Sequence, residues 1–125
     1  YVISADTIVV LDNTILNKPN DTTDAEAILT RLSGRTHTVY TGLTIAESGT
    51  NRIMEDVQST EVTFRDLSIA EIRAYIATGS PMDKAGAYGV QEWIGFIGVE
   101  SIQGSYFNVM GLPIQRLYKE LKTIK

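Results

Sequence analysis

Residues 2–11 alternate with a period of two and are rich in β-branched side chains, which predicts a strand. Ile3, Ala5, Thr7, Val9 and Leu11 fall on one face, and Val2, Ser4, Asp6, Ile8 and Val10 on the other. Asp12-Asn13-Thr14 supplies turn chemistry, and Ile15-Leu16 reads as a short return strand ending at Asn17-Lys18-Pro19. The period then changes. Thr23-Asp24-Ala25-Glu26 has the spacing of a capping box, and Ala25, Ile28, Leu29 and Leu32 make one helical stripe closed by Gly34. Residues 35–46 and 52–64 return to strand character on either side of Glu47-Ser48-Gly49-Thr50-Asn51, so a long antiparallel hairpin is expected.

The second half repeats the alternation of element types. Ser68-Ile69-Ala70-Glu71 is a second capping-box pattern, followed by Ile69, Ile72, Tyr75 and Ile76 on one helix face, with Gly79 and Pro81 as its end. Residues 96–102 read as a strand, Gln103-Gly104-Ser105 as a turn and 106–110 as another short strand. After Gly111-Leu112, Pro113 is well placed as the first residue of a helix. Its buried stripe would be Ile114, Leu117, Tyr118 and Leu121, with Lys119, Lys122 and Lys125 opposing its dipole. Strands and helices mix without regular βαβ repetition. This predicts an α/β domain of the mixed, α+β-like kind, with a central mixed β-sheet and flanking helices.

Composition narrows the class without changing this picture. The 125 residues suit one domain; 43% are hydrophobic and 21% charged, as in ordinary globular proteins. No apolar run approaches a membrane span and no signal-peptide pattern opens the chain. The absence of cysteine excludes disulfides and thiolate chemistry and fits a cytoplasmic setting. A net charge of −4 argues against broad nucleic-acid binding while leaving room for a small anion held by local cations. The chain opens on Tyr1-Val2-Ile3 in full strand pattern without an initiator methionine, so a preceding segment is expected.

Candidate chemistry gathers at Asp83-Lys84-Ala85-Gly86-Ala87-Tyr88-Gly89-Val90-Gln91, which fits neither a helix nor a strand period. Glycines and a lysine together suit an oxyanion, because exposed amide N–H groups and an ammonium both favour one. A plain connecting loop has the same look. Asp6, in the middle of an apolar strand, is either paired structurally or turned towards a cleft or metal. His37 is the only histidine and reads as a structural group. No Walker A, dinucleotide, serine-elbow or zinc-protease motif is present.

Six stretches in order carry a resemblance. They are Ala5-Asp6-Thr7-Ile8-Val9-Val10, Asn17-Lys18-Pro19, Leu32 to His37 with Tyr40-Thr41-Gly42, Thr63-Phe64, Asp83 to Gln91, and Asn108 to Pro113. Together they resemble the Maf family of nucleoside triphosphate pyrophosphatases, also described as septum-formation proteins. The resemblance implies an inosine triphosphatase-like architecture with a cleft between lobes, a homodimer, and hydrolysis of a nucleoside triphosphate to monophosphate and pyrophosphate with Mg²⁺ or Mn²⁺. The family's Ser-Pro-Arg-Arg motif has no counterpart in these residues, so several triphosphate contacts are expected to lie outside them.

The resemblance also implies roles. Asp6 matches the general base and a metal ligand. Lys18 and Lys84 match lysines near the phosphates. Asp83 is either a metal-proximal acid or the ion-pair partner of Lys84. Thr7 and Gln91 match positions tied to base selection, and a primary amide offers the donor and acceptor that the uracil or thymine edge requires. Ala-Tyr-Gly-Val-Gln looks like the dTTP/UTP-cleaving branch rather than the 7-methyl-GTP branch. Tyr88 is open between base stacking and core packing, Trp93 reads as packing, and Arg35 as a tie between helix end and strand. A nucleotide-binding cell-division regulator without turnover is the alternative of a different class.

Overall fold

The computed structural model describes residues 1–50, 52–111 and 114–124. Asn51 of the expected hairpin turn, Leu112 and Pro113 at the entry to the last helix, and Lys125 at its end lie outside the described residues. Among the described residues, five strands form one sheet in the order β2-β1-β3-β4-β5. They are β1 (Val2–Leu11), β2 (Thr14–Leu16), β3 (Thr36–Ala46), β4 (Ile53–Phe64) and β5 (Val99–Gln103). The combination of a central sheet with helices stands as expected, but the mixed sheet does not. Every pairing among the described strands is antiparallel. The first helix returns the chain so that β3 runs antiparallel beside β1, and β4 and β5 continue the alternation.

The helices are α1 (Thr22–Leu32), α2 (Ile69–Ile76), α3 (Trp93–Gly98), α4 (Tyr106–Met110) and α5 (Ile114–Ile124). On β3, His37, Val39, Thr41, Leu43 and Ile45 are buried, while the alternate positions face outward. Val39, Val62 and Phe64 on this face pack against Ala25, Ile28, Leu29 and Leu32 of α1 and Ile72, Tyr75 and Ile76 of α2 in one core. Burying each such side chain contributes about 1.5–3 kcal/mol. The predicted stripes of α1 and α2 are thus the core-facing ones, Ile69 excepted, which is exposed.

Capping follows the sequence in one helix and departs from it in the other. Ser68 and Glu71 form the reciprocal box expected at α2. At α1 the cap is Asp21, two residues before the expected Thr23. Its side chain accepts from Asp24 N at 2.7 Å, and Asp24 in turn accepts from Asn20 N. A carboxylate outcompetes a hydroxyl for an orphan amide, which moves the helix start upstream.

Three further expectations are corrected. Residues 96–102 are not one strand, because the N–H groups of Gly95 and Phe96 both turn back to the Glu92 carbonyl and start α3 before β5 begins. Residues 106–110 form α4 rather than a strand, since Ser105 Oγ accepts from Asn108 N and caps a single helical turn. In α5 two residues of the expected buried stripe, Ile114 and Tyr118, are 49% and 62% exposed, while Leu117 and Leu121 are half-buried. The helix also reaches β4 through an Arg116 ion pair with Asp56.

Candidate active site

The Asp83–Gln91 segment leaves α2 through two short 3-10 turns with Lys84 between them. Gly86 (φ +72°) and the buried Ala87 (φ +64°) are both left-handed. A Cβ on Gly86 would sit 2.9–3.0 Å from the Val9 side chain, so glycine is required for conformation and for contact with β1. The segment is therefore folded tightly onto the sheet rather than hanging from it.

Lys84 is the best-held cation of the segment. Its Nζ donates to the Ser80 carbonyl at 3.1 Å and lies 3.5 Å from both Asp83 Oδ1 and Glu92 Oε1. Asp83 is 82% exposed, so its pairing is weak, while Glu92 is held on several sides. Tyr75 OH donates to Glu92 Oε1 at 2.7 Å and accepts from Gly89 N at 3.0 Å. Partial burial works to raise the Glu92 carboxyl. Hydrogen bonds from Ser80 and Tyr75 and the Lys84 charge outweigh it, so Glu92 sits below the usual carboxylate range. Burial, and then the bond to Glu92, push the Tyr75 phenol above its ordinary value.

Thr7, Lys18, Lys84 and Gln91 line one hollow of about 690 Å³, open to solvent. Val9, Val39, Val109 and Met110 supply its apolar wall. Lys18 and Gln91 are exposed and have no hydrogen-bond or ion-pair partner among the described residues, so both are free for a ligand. Such a combination suits an anionic ligand with a flat apolar part.

Asp6 is placed differently from that group. It is exposed, not a buried strand acid, and by alternation it stands on the opposite face of β1 from Thr7. Its cross-strand neighbour is Gly42, where an added Cβ would meet nothing within 4 Å. Asp6 lines a neighbouring hollow of about 720 Å³ that wraps the edge of β1 and shares Thr7, Lys18 and Ala85 with the first. Among the described residues it has no hydrogen-bond or ion-pair partner. Thus Lys18 is common to both hollows, whereas Asp6 does not share one with Lys84 and Gln91.

Of the remaining candidates, His37, Tyr88 and Arg35 resolve as structural groups. His37 is 1% exposed, stacks on Phe64 and meets Tyr88 OH at 2.6 Å through Nε2. Burial pushes its pKa down to about 4, so the ring is neutral. Tyr88 packs edge-on against both rings, which assigns it to the core with one edge on the hollow. Arg35 reaches Asp12 Oδ1 at 2.6 Å and ties the start of β3 to the β1–β2 turn. Trp93, expected as packing, is 45% exposed. A further hollow, lined by Tyr1, Ile45, Glu47, Arg52, Ile53 and Met54, gathers none of the candidate residues.

The model of the Maf-like protein family matches residues 1–124. The chain belongs to the Maf-like family. Similar to this Maf-like chain are proteins named dTTP/UTP pyrophosphatase. That of Phocaeicola vulgatus is 57% identical over 98% of this chain and 63% of its own length. Those of Salinibacter ruber and Clostridium beijerinckii are 50% and 51% identical, over 97% and 99% of this chain and 59% and 65% of theirs. The chain thus spans about three fifths of the length of these relatives.

Within the Maf-like chain, some participants left no mark in the sequence reading. Glu92 holds Lys84 and Tyr75 holds Glu92, yet in the sequence Tyr75 reads only as a core stripe residue and Glu92 falls one position beyond the Asp83–Gln91 stretch. Val109 and Met110 line the hollow because 106–110 is helical, which the alternation concealed. For a divalent cation, no cluster of three or more His, Asp or Glu is gathered among the described residues. The lone Asp6 carboxylate beside Lys18 fits a hard cation that brings most of its shell as water and substrate phosphate. No helix among the described residues is long and apolar enough to cross a membrane.

Proposed function

We infer that this Maf-like chain is part of a nucleoside triphosphate pyrophosphatase acting on dTTP and UTP, releasing the monophosphate and pyrophosphate. The carrying observation is the convergence of Thr7, Lys18, Lys84 and Gln91 on one hollow. The dTTP/UTP pyrophosphatase names of its relatives support the same substrate.

In this reading Lys18 and Lys84 neutralise phosphate oxyanions, Lys84 exchanging its Glu92 contact for the ligand. The apolar wall takes the base, and Gln91 and Thr7 meet its polar edge. Asp6 is the general base that takes a proton from the attacking water, across the shared Lys18 boundary between the two hollows. A divalent metal, Mg²⁺ or Mn²⁺, would be held by Asp6 with the phosphates and would lower the charge on the reacting group. The enzyme is read as cytoplasmic and homodimeric.

A second reading, nucleotide binding without turnover, draws support from one observation: Asp6 does not line the hollow that holds Lys84 and Gln91. One experiment separates the two. The protein is incubated with each nucleoside triphosphate, 7-methyl-GTP included, and Mg²⁺ or Mn²⁺, and pyrophosphate and phosphate are measured separately. Pyrophosphate from dTTP and UTP is expected, with Asp6→Asn lowering turnover ~100-fold or more at unchanged thermal stability. Nucleotide binding with no pyrophosphate favours the second reading, and an unchanged rate in Asp6→Asn removes Asp6 from the mechanism.

A further inference from the structure

Beneath the hollow lies a connected set of buried polar groups that the reading above leaves without a role. Thr41 and Asn108 are both 0% exposed. Thr41 Oγ1 donates to the Asn108 carbonyl at 3.1 Å. A carbonyl carries no proton, so this bond uses the single hydroxyl hydrogen of Thr41. The 2.9 Å contact between the Thr41 and Thr7 hydroxyls can then run only one way, with Thr7 donating and Thr41 accepting.

The same counting fixes the other end. Thr60 Oγ1 donates to the Ser105 carbonyl at 3.2 Å, so Asn108 Nδ2 must donate to Thr60 Oγ1 at 2.8 Å. The second Nδ2 hydrogen goes to the Val39 carbonyl at 3.3 Å. Asn108 therefore has one amide orientation, and its Oδ1 is buried without a partner among the described residues. A group left in that state persists only where its other contacts over-determine it.

Thr7 consequently has no proton to offer a ligand and presents only oxygen lone pairs to the hollow it lines. Next to it lie Val109, Met110 and Gly111, a Cβ on Gly111 coming within 3.5 Å of Thr7 Oγ1. The lysines sit on the β2 and 3-10 side. Apolar atoms around a fixed acceptor suit a flat ring that carries an N–H.

We propose that Thr41 and Asn108 are positioning residues for base selection, holding the Thr7 hydroxyl as an acceptor so that the site takes the ring N–H of uracil or thymine. Cytosine, whose N3 is itself an acceptor, meets lone pairs and is rejected. This rests on the nucleoside triphosphate reading above.

The test is calorimetric binding of UTP and CTP as their non-hydrolysable α,β-imido analogues, with Mg²⁺, to the unaltered chain, Thr41→Val and Thr41→Ser. Thr41→Val frees the Thr7 proton to turn towards the ligand, so the preference for UTP over CTP should fall about tenfold, the worth of one neutral hydrogen bond. Thr41→Ser should restore it. An unchanged preference in a folded Thr41→Val overturns the proposal. If that variant does not fold, NMR of the unaltered chain decides. A slowly exchanging Thr7 hydroxyl proton directed at Thr41 supports the proposal, and a freely exchanging one overturns it. A chain that binds no nucleotide sinks the triphosphate reading itself, whereas one that binds UTP and CTP equally sinks only this inference.

Discussion

The two ends of β1 obey the same alternation and meet opposite fates. Val9 and Val10 are paired on both edges, to β2 and to β3, Leu11 is paired to β2, and Val9 and Leu11 are 4% and 2% exposed. From Val2 to Ile8 the described pairing is to β3 alone, and the side chains through Asp6 are exposed. Packing thus fixes one end and stops where the candidate chemistry begins. Asp6 and Thr7 stand at that border, Asp6 with no hydrogen-bond or ion-pair partner among the described residues and Thr7 bonded to Thr41 yet still lining the hollow. Substitutions in the packed end should therefore cost stability, and those in the open end should cost chemistry.

Acid should break the packed end most. His37 is held at about 4 by burial, against about 6.5 for a free imidazole. Between those values the unfolded chain binds more protons than the folded one, so stability falls as pH drops through that window. Roughly 3 kcal/mol should be lost by pH 4, read from denaturant midpoints at pH 7, 5.5 and 4. A His37→Gln chain should show a shallower fall, and an identical profile would remove His37 as its cause.

Gly86→Ala comes next. A left-handed φ and a contact under 3.0 Å with Val9 should together cost about 2 kcal/mol, measured as a lowered denaturation midpoint. Lys18→Met tests the open end: triphosphate binding should weaken about tenfold, as for one lost charge-assisted contact, while the midpoint stays put. Gln91→Ala should be the mildest, shifting the UTP-to-GTP hydrolysis ratio a few-fold. A larger effect on stability than on that ratio would move Gln91 into the packed class.

The packed end was legible in the sequence because periodicity and caps are local. The stripes of Ala25, Ile28, Leu29 and Leu32 and of Ile72, Tyr75 and Ile76 met the core, and Ser68 with Glu71 capped α2 as written. Errors arose where a short apolar run suits either element type. Residues 106–110 alternate like a strand, yet one hydroxyl cap at Ser105 sufficed to make them a helix. The mixed sheet failed because pairing order depends on where α1 delivers β3, which no local pattern encodes. At the site, residue types pointed to the glycine-rich segment with Lys84, and the family resemblance pointed to Thr7, Lys18 and Gln91. The face on which Asp6 stands was already fixed by its even position on β1. What the sequence could not display was the support beneath. Glu92 holds Lys84 and Thr41 holds Thr7 through contacts that join residues 8 and 34 positions apart.

The register of the sheet also sets an order of assembly. β3 and β4 pair along eleven positions across a turn of a few residues, so this ribbon closes cheaply. Thr41 and Thr60 are both on it. Thr7 joins only when β1 is pulled in past α1, and Lys84 only after α2 has docked and Gly86 has settled on Val9. Non-local pairings of this kind slow folding. A newly made chain is therefore expected to own a finished ribbon well before it owns any place for a nucleotide, and the hollow should be the last part of the molecule to come into being.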